Sequence, residues 1–399
     1  MPATEAQVIP PMTDPRRHAG MPWAQAYATA WQVARPLAPV WLPVGDAVRQ
    51  PLAAPVEART AAPAFDAAAM DGYAVAGAGP WQVVGRILAG GPDPVPRLEH
   101  GDAAEIATGA RVPAGAEAVL PYEDCHRCGD IVSGPRTART HIRRAGEDTA
   151  PGDLLAPAGR VFTATAAAAA AQVGVERVRV RPRPGVDVLV TGDEVVLHGR
   201  PGPGQVRDVF APLVAAVTDR AGGELRSYRR VDDDPAALRT AIDAAEAPVL
   251  VVTGSSSVGV ADHLHGVLDD CPATWHVDGV ACRPGHPQAL ARTAGGRWVV
   301  GLPGNPYAGL VAALTLLEPL LATLAGHHRR PLPAAPVSGT VTLFPGGCRI
   351  VPVETTGDGA RILPGARSAS LRAAAAADAL AVLDAGWTAG TAAPLLRLP

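Results

Sequence analysis

Four short segments of this 399-residue chain set glycine, hydroxyls, an amide or carboxylates straight after a strand-like run. They read Thr191-Gly192-Asp193-Glu194, Asp232-Asp233-Asp234, Thr253-Gly254-Ser255-Ser256-Ser257 and Leu302-Pro303-Gly304-Asn305-Pro306. Glycine lets backbone N–H groups approach a phosphate closely, and serine hydroxyls add donors. Carboxylates beside a phosphate repel it unless a divalent cation sits between them. Glu194, Asp233 and Asp262 are therefore candidate Mg2+ ligands against a phosphorylated substrate. Each segment alone has a plainer reading, since glycine-rich turns recur in α/β proteins and an acid at a helix start is often a cap. Four of them on one sheet edge would make a site.

The elements that must carry these segments follow from periodicity. From Arg183 onward strands and helices alternate. "VDVLVTGDE", "ELRSYRRV", "APVLVVTG" and "RWVVGLP" read as strands. "RDVFAPLVAAVTDRAGG", "DPAALRTAIDAAEA" and "YAGLVAALTLLEPLLATLAG" read as helices, the last with a kink expected at Pro319. This spacing predicts an α/β domain over residues 182–328, a parallel sheet with helices on both faces. Ligands of such sheets bind beyond the carboxyl ends of the strands, where all four segments would lie. Upstream, residues 1–20 read as a disordered leader and 22–34 as a helix. Residues 53–140 are rich in glycine and proline with short apolar runs, as in an inserted small β domain. The alanine-rich helix at 163–173 is expected to join the first helix, giving an elongated N-terminal helical/β domain from 21–52 plus 141–181. Residues 335–399 return to short strands and predict a barrel-like C-terminal β domain.

The composition narrows the function. A net charge of −3 with mixed signs argues against a nucleic-acid or membrane-surface protein. All 35 basic residues are arginine, so any site that elsewhere uses lysine must use another residue here. The start lacks the apolar core of a signal peptide. The small-apolar run "TATAAAAAAQVGV" is too short to span a bilayer. Five scattered cysteines fit a reducing cytoplasm, and Cys125 and Cys128 read as incidental loop thiols.

"AAAMDGYAV", "TGARVPAGAEAVLPYE", "HIRRAGED", "TGDEVV", "TGSSSVGVADH" and "GLPGNP" occur in an order and spacing that resembles the molybdopterin molybdenumtransferases, the MoeA and gephyrin E-domain family. The resemblance spans essentially the whole chain past the leader. It implies an elongated homodimer that inserts molybdate into adenylylated molybdopterin with Mg2+ and releases AMP. It also implies transient contact with a molybdopterin adenylyltransferase and with apo-molybdoenzymes. By motif match, Asp71, Thr108 and Asp148 are site residues of the N-terminal half, facing the partner subunit's α/β domain. Glu194, Asp233 and Asp262 match the acids of the α/β loops. Gly192, Asp193, Gly254, Ser255, Ser257, Pro303, Gly304, Asn305 and Pro306 match substrate-binding positions. Arg283, His286, Pro287, Arg349 and Ser368 fall where the family holds molybdate. The chain departs from the family in four places. Arg283-Pro284-Gly285-His286-Pro287 stands for a lysine-proline-glycine-lysine-proline run, Tyr307-Ala308 for valine-serine, Gly254-Ser255 for a glycine pair, and Phe210 for an asparagine. Two other readings share the fold: a pterin-binding carrier or scaffold without catalysis, and an adenylyltransferase using ATP. The retained acids favour the transferase over the first, and the additional N- and C-terminal domains favour it over the second.

Overall fold

The computed structural model describes residues 20–91, 97–254 and 263–399. The leader up to Ala19 and the residues Ser255, Ser257 and Asp262 lie outside the described residues. The chain divides into two compact units, Trp41–Val180 and a second made of Met1–Val40 with Arg181–Pro399.

The second unit is built on a six-stranded sheet. Its order is Glu224–Val231, Gly185–Thr191, Val249–Thr253, Trp298–Leu302, Ala289–Thr293, Ala273–Asp278. The first four strands are parallel, as the alternation predicts. The last two are antiparallel additions at the edge, so the sheet is mixed, not wholly parallel. "ATWHVD" and "ALART" carry too few β-branched residues to stand out as strands, and their place comes from edge pairing. Side chains alternate between two cores, as buried strands require. Val186, Val188, Val190, Val249, Val251, Val300 and Leu302 face one side with helix Phe210–Arg220 and the run Pro306–Leu324. Leu189, Leu250, Val252 and Val299 face the other with Pro235–Asp243 and His263–Asp269. Helices thus cover both faces.

The first helix, Trp23–Gln32, packs here and not with the alanine-rich helix. Trp23 Nε1 donates to Thr315 Oγ1 at 3.0 Å, and Ala26 and Ala30 are wholly buried. Its aromatic and small residues form one apolar stripe, which decides its partner more firmly than the helix propensity it shares with residues 163–173. The long apolar helix Pro306–Leu324 is long and apolar enough to cross a membrane, but its side chains are packed inside this core. Just before Pro319 it has a π turn over Ala313–Leu317 between α segments Pro306–Ala312 and Glu318–Leu324. Pro319 cannot donate to the Thr315 carbonyl, and the helix widens in the turn just before it.

The C-terminal segment closes a five-stranded barrel. Strand Cys348–Thr356 pairs with Gly359–Ile362 and with Ala379–Leu383; Ala334–Ser338 and Ala392–Arg397 complete the ring. Val337, Val351, Val353, Ala381, Leu383 and Leu395 fill its interior. Ile350, Leu380, Val382 and Leu396 point outward into the same core as the α/β sheet. Strand Val280–Arg283 pairs in parallel with Cys348–Thr356, with Cys282 opposite Cys348 and Arg283 opposite Arg349.

The first unit holds a six-stranded sheet in the order Ala118–Pro121, Gly72–Val75, Asp102–Ile106, Trp81–Ile87, Ile131–Ser133, His126–Cys128. It has apolar clusters on both faces, with Tyr73 and Val75 in one and Ala74 and Ala76 in the other. A separate core gathers Leu52, Val56 and Phe162 with Ala167 and Ala170 of the alanine-rich helix Ala164–Gln172. Cys125 packs, partly buried, against the Tyr73 and Val75 cluster, while Cys128 is exposed.

Candidate active site

In the α/β sheet the parallel strands end at Val231, Thr191, Thr253 and Leu302, so the four glycine- and acid-bearing loops leave one edge. Three of them meet at Gly254. Its N–H donates to the Leu302 carbonyl at 3.1 Å, and Thr191 Oγ1 donates to the Thr253 carbonyl at 2.8 Å. Gly254 has φ +93°, and a Cβ there would lie 2.7 Å from the Thr191 carbonyl oxygen. A Cβ on Gly304 would lie 3.3 Å from the Gly254 Cα. The glycines are required because three backbones share a space with no room for side chains.

The acids divide by role. Asp234 is the N-cap of helix Pro235–Asp243, accepting from the Ala237 N–H at 2.7 Å. Asp232 pairs with Arg230 at 3.2 Å. Asp233 is left facing His263, with its Oδ1 3.8 Å from Nε2. Asp193 accepts from Arg230 at 2.8 Å and from the Asp233 N–H at 3.3 Å, so its carboxylate braces the second loop against the first. The Glu194 carboxylate folds back over Gly192, where a Cβ would be 2.9 Å from Oε2. Hard carboxylate oxygens on Glu194 and Asp233 suit Mg2+, which typically takes one or two carboxylates together with substrate phosphates and waters. Among the described residues no three potential ligands converge on one point. Asp262, the third predicted acid, lies outside them.

The last loop leads into the barrel. The Tyr307 N–H donates to the Ser368 carbonyl at 2.9 Å, and the Ala308 N–H approaches the same oxygen at 3.4 Å. Ser368 therefore adjoins Asn305 and Pro306 through its backbone. Arg349 Nε is buried with no hydrogen-bond partner, and Arg283, its neighbour in register, lies over the Phe344 ring at 4.3 Å. An unpaired guanidinium N–H is an open invitation to an oxyanion, since buried donors otherwise find acceptors. His286 is seated in the turn with Pro287: its Nδ1 is 2.8 Å from the Val280 carbonyl and its ring abuts Gly20 and Gly279. Phe210 is buried and packs on Gly309, where a Cβ would lie 2.2 Å from its ring.

In the first unit, Asp71 and Thr108 are brought into contact. Asp71 Oδ1 accepts the Thr108 N–H at 2.6 Å. This amide, followed by the Thr108 hydroxyl, holds the exposed Asp71 carboxyl below its ordinary range. Asp148 is ion-paired with Arg143, which also holds Glu147 at 2.9 Å. Sequence reasoning missed His263 and Arg230, and marked Tyr307 only as a departure from the family pattern. His263 follows Asp262 directly, so its place at a helix start could have been read; nothing in the pattern marks Arg230.

Residues 21–174 match the family model "MoeA N-terminal region (domain I and II)" and residues 187–323 match "Probable molybdopterin binding domain". A molybdopterin molybdenumtransferase of Synechococcus elongatus is 33% identical over 290 residues, covering 68% of this chain and 72% of that relative. Molybdopterin molybdenumtransferase 2 of Mycobacterium tuberculosis is 32% identical over 315 residues, covering 74% and 77%. A crystal structure of the molybdopterin biosynthesis MoeA protein from Pyrococcus horikosii superposes with a TM-score of 0.75 at 25% identity, over 95% of this chain and 99% of that one. In sequence across both family regions, and in fold over nearly its full length, this chain belongs to the molybdopterin molybdenumtransferase family.

Proposed function

We propose that this chain inserts molybdate into adenylylated molybdopterin in molybdenum cofactor biosynthesis, releasing AMP with the help of Mg2+. The observation that carries the proposal is the convergence of the Thr191, Gly254 and Gly304 loops at one strand edge, next to the barrel segment that bears Ser368. Glycine at this crossing leaves no side chain standing between the loop backbones and a phosphate outside them. Glu194 and Asp233 would hold Mg2+, which supplies neutralisation of phosphate charge. Arg230 and the Asp233 N–H engage Asp193, and Asp233, which faces His263, would turn its carboxylate toward the ligand. Arg349, with Arg283 beside it, would take the oxyanion. Asp262 is read as the group that places the attacking oxygen. Asp71, Thr108 and Asp148 are read as completing the site across a homodimer, the depressed Asp71 carboxyl remaining charged at neutral pH.

The test is incubation with adenylylated molybdopterin, molybdate and Mg2+, reading AMP release and reconstitution of an apo-molybdoenzyme. Molybdate-dependent AMP release is expected. Pterin binding without AMP release would mean a carrier, and pyrophosphate release from ATP an adenylyltransferase.

A further inference from the structure

Tyr307 stands at the junction of three parts of this site. It is the second residue of helix Pro306–Ala312, directly after the Gly304-Asn305 turn, and is 1% exposed. Its N–H bonds to Ser368 at 2.9 Å, while its hydroxyl donates to the Ile350 carbonyl at 3.0 Å. Ile350 is the residue after Arg349, on the barrel strand that pairs with Val280–Arg283. A buried hydroxyl must find an acceptor. Here the acceptor lies on the strand that bears Arg349, whose buried Nε has no hydrogen-bond partner. An aliphatic residue at position 307 could fill the core but could not hold that strand.

We propose that Tyr307 is a positioning residue for oxyanion capture: its hydroxyl fixes the Arg349 strand against the Pro303–Pro306 turn. The distance between the phosphate end of the site and its oxyanion end is thereby set. The proposal rests on the reading of Arg349 as the molybdate-binding group. Tyr307 also explains how a chain that departs from its family at this position keeps the barrel in register. The ring fills the core and the hydroxyl makes a bond across the two layers, two jobs that neither Val nor Phe performs together.

Tyr307→Phe removes one hydrogen bond and keeps the ring. Loss of one such bond weakens an interaction roughly two- to tenfold. The expected result is a rise of that size in the molybdate KM and in the molybdate Kd measured by equilibrium dialysis. The kcat and the KM for adenylylated molybdopterin should stay as in wild type. A merely structural role would lower melting temperature without splitting the two KM values. Tyr228→Phe is the control, because it removes a part-buried tyrosine hydroxyl bond, Tyr228 Oη to Asp208 at 2.8 Å, just ahead of helix Phe210–Arg220. It should leave molybdate affinity unchanged. Equal molybdate affinity in wild type and Tyr307→Phe overturns the proposal, as does an equal loss in Tyr228→Phe. If Tyr307→Phe fails to fold, Tyr307→Trp, with an indole N–H as donor, should retain more molybdate affinity than Tyr307→Leu; equality of the two overturns it. Wild type that turns over adenylylated molybdopterin but is insensitive to Arg349→Ala would instead refute the reading of Arg349, and the Tyr307 proposal with it.

Discussion

Gly254→Ala tests whether the backbone crossing at the sheet edge is as tight as described. The new Cβ would lie 2.7 Å from the Thr191 carbonyl oxygen and 2.9 Å from Thr191 Oγ1, at φ +93°. A left-handed conformation at a residue with a Cβ costs about 1–2 kcal/mol by itself. Relief of the contact needs a shift of roughly half an ångström in one of two buried strands, and the Thr191–Thr253 bond opposes it. The combined destabilisation should be about 2–4 kcal/mol. That corresponds to a fall in melting midpoint of roughly 4–16 °C. The same shift displaces Gly304, whose Cα-side space abuts Gly254, so kcat/KM should fall by about tenfold or more, because sub-ångström misplacement of reacting groups is costly. Calorimetry and AMP release are the assays. Gly304→Ala is the companion: among the described residues its Cβ would meet only the Gly254 Cα, at 3.3 Å. It should cost less than about 1 kcal/mol of stability yet still impair turnover. A Gly254→Ala protein with wild-type melting and wild-type turnover would refute the crossing.

Three further outcomes follow from the site. Asp262→Asn should keep the fold and stop turnover while leaving pterin binding within about tenfold; unchanged turnover at saturating substrate would make Asp262 a cap only. A mixed dimer of Asp71→Ala and Asp262→Ala chains should recover activity at one of its two sites, and if mixing restores nothing the site is not shared in that way. Burial alone would raise the Asp187 carboxyl, but bonds from Ser227 Oγ at 2.6 Å and from the Ala247 and Glu246 N–H groups at 3.0 and 3.1 Å outweigh it and hold the pKa low. Such a group stabilises above its unfolded pKa of about 3.9 and loses that stabilisation as pH falls toward the lower folded value. Asp187→Asn should therefore cost about 1–3 kcal/mol at pH 7, and the gap from wild type should shrink below about pH 4 in denaturant titrations; a gap that does not narrow would refute the assignment.

The parallel strands were expected nearly to the residue: Val249–Thr253 because β-branched residues cluster in it, and Glu224–Val231, whose only β-branched residue is Val231, from its place between two helical patterns. The edge strands were not, because alanine, arginine and histidine carry no strand period there. The first helix was readable as a helix, but its partner was not, because propensity is local and Trp23 to Thr315 spans 292 residues. The loops were legible as a site from glycine and acid spacing. The cap at Asp234 is local, three residues from Ala237, but the other roles were not legible: whether Asp193 braces and Asp233 faces the site depends on Arg230 and His263, which only folding brings near. Nor does any sequence period place Arg283 beside Arg349, a pairing set where strand Val280–Arg283 joins the barrel strand Cys348–Thr356.

The outward face of the barrel has a consequence for how the gene can be cut. Ile350, Leu380, Val382 and Leu396 complete a core otherwise built by the α/β sheet and the first helix. Stripping the barrel away would leave the opposing surface wet. At about 1.5–3 kcal/mol for each of four side chains, the loss is about 6–12 kcal/mol. That is comparable with the whole stability of an ordinary domain. A stop codon before Ala334 should thus yield an insoluble polypeptide instead of a shorter working protein. The boundary visible in the sequence at "HHRRPLPAAP" is a border in composition and not a seam along which the molecule can be divided.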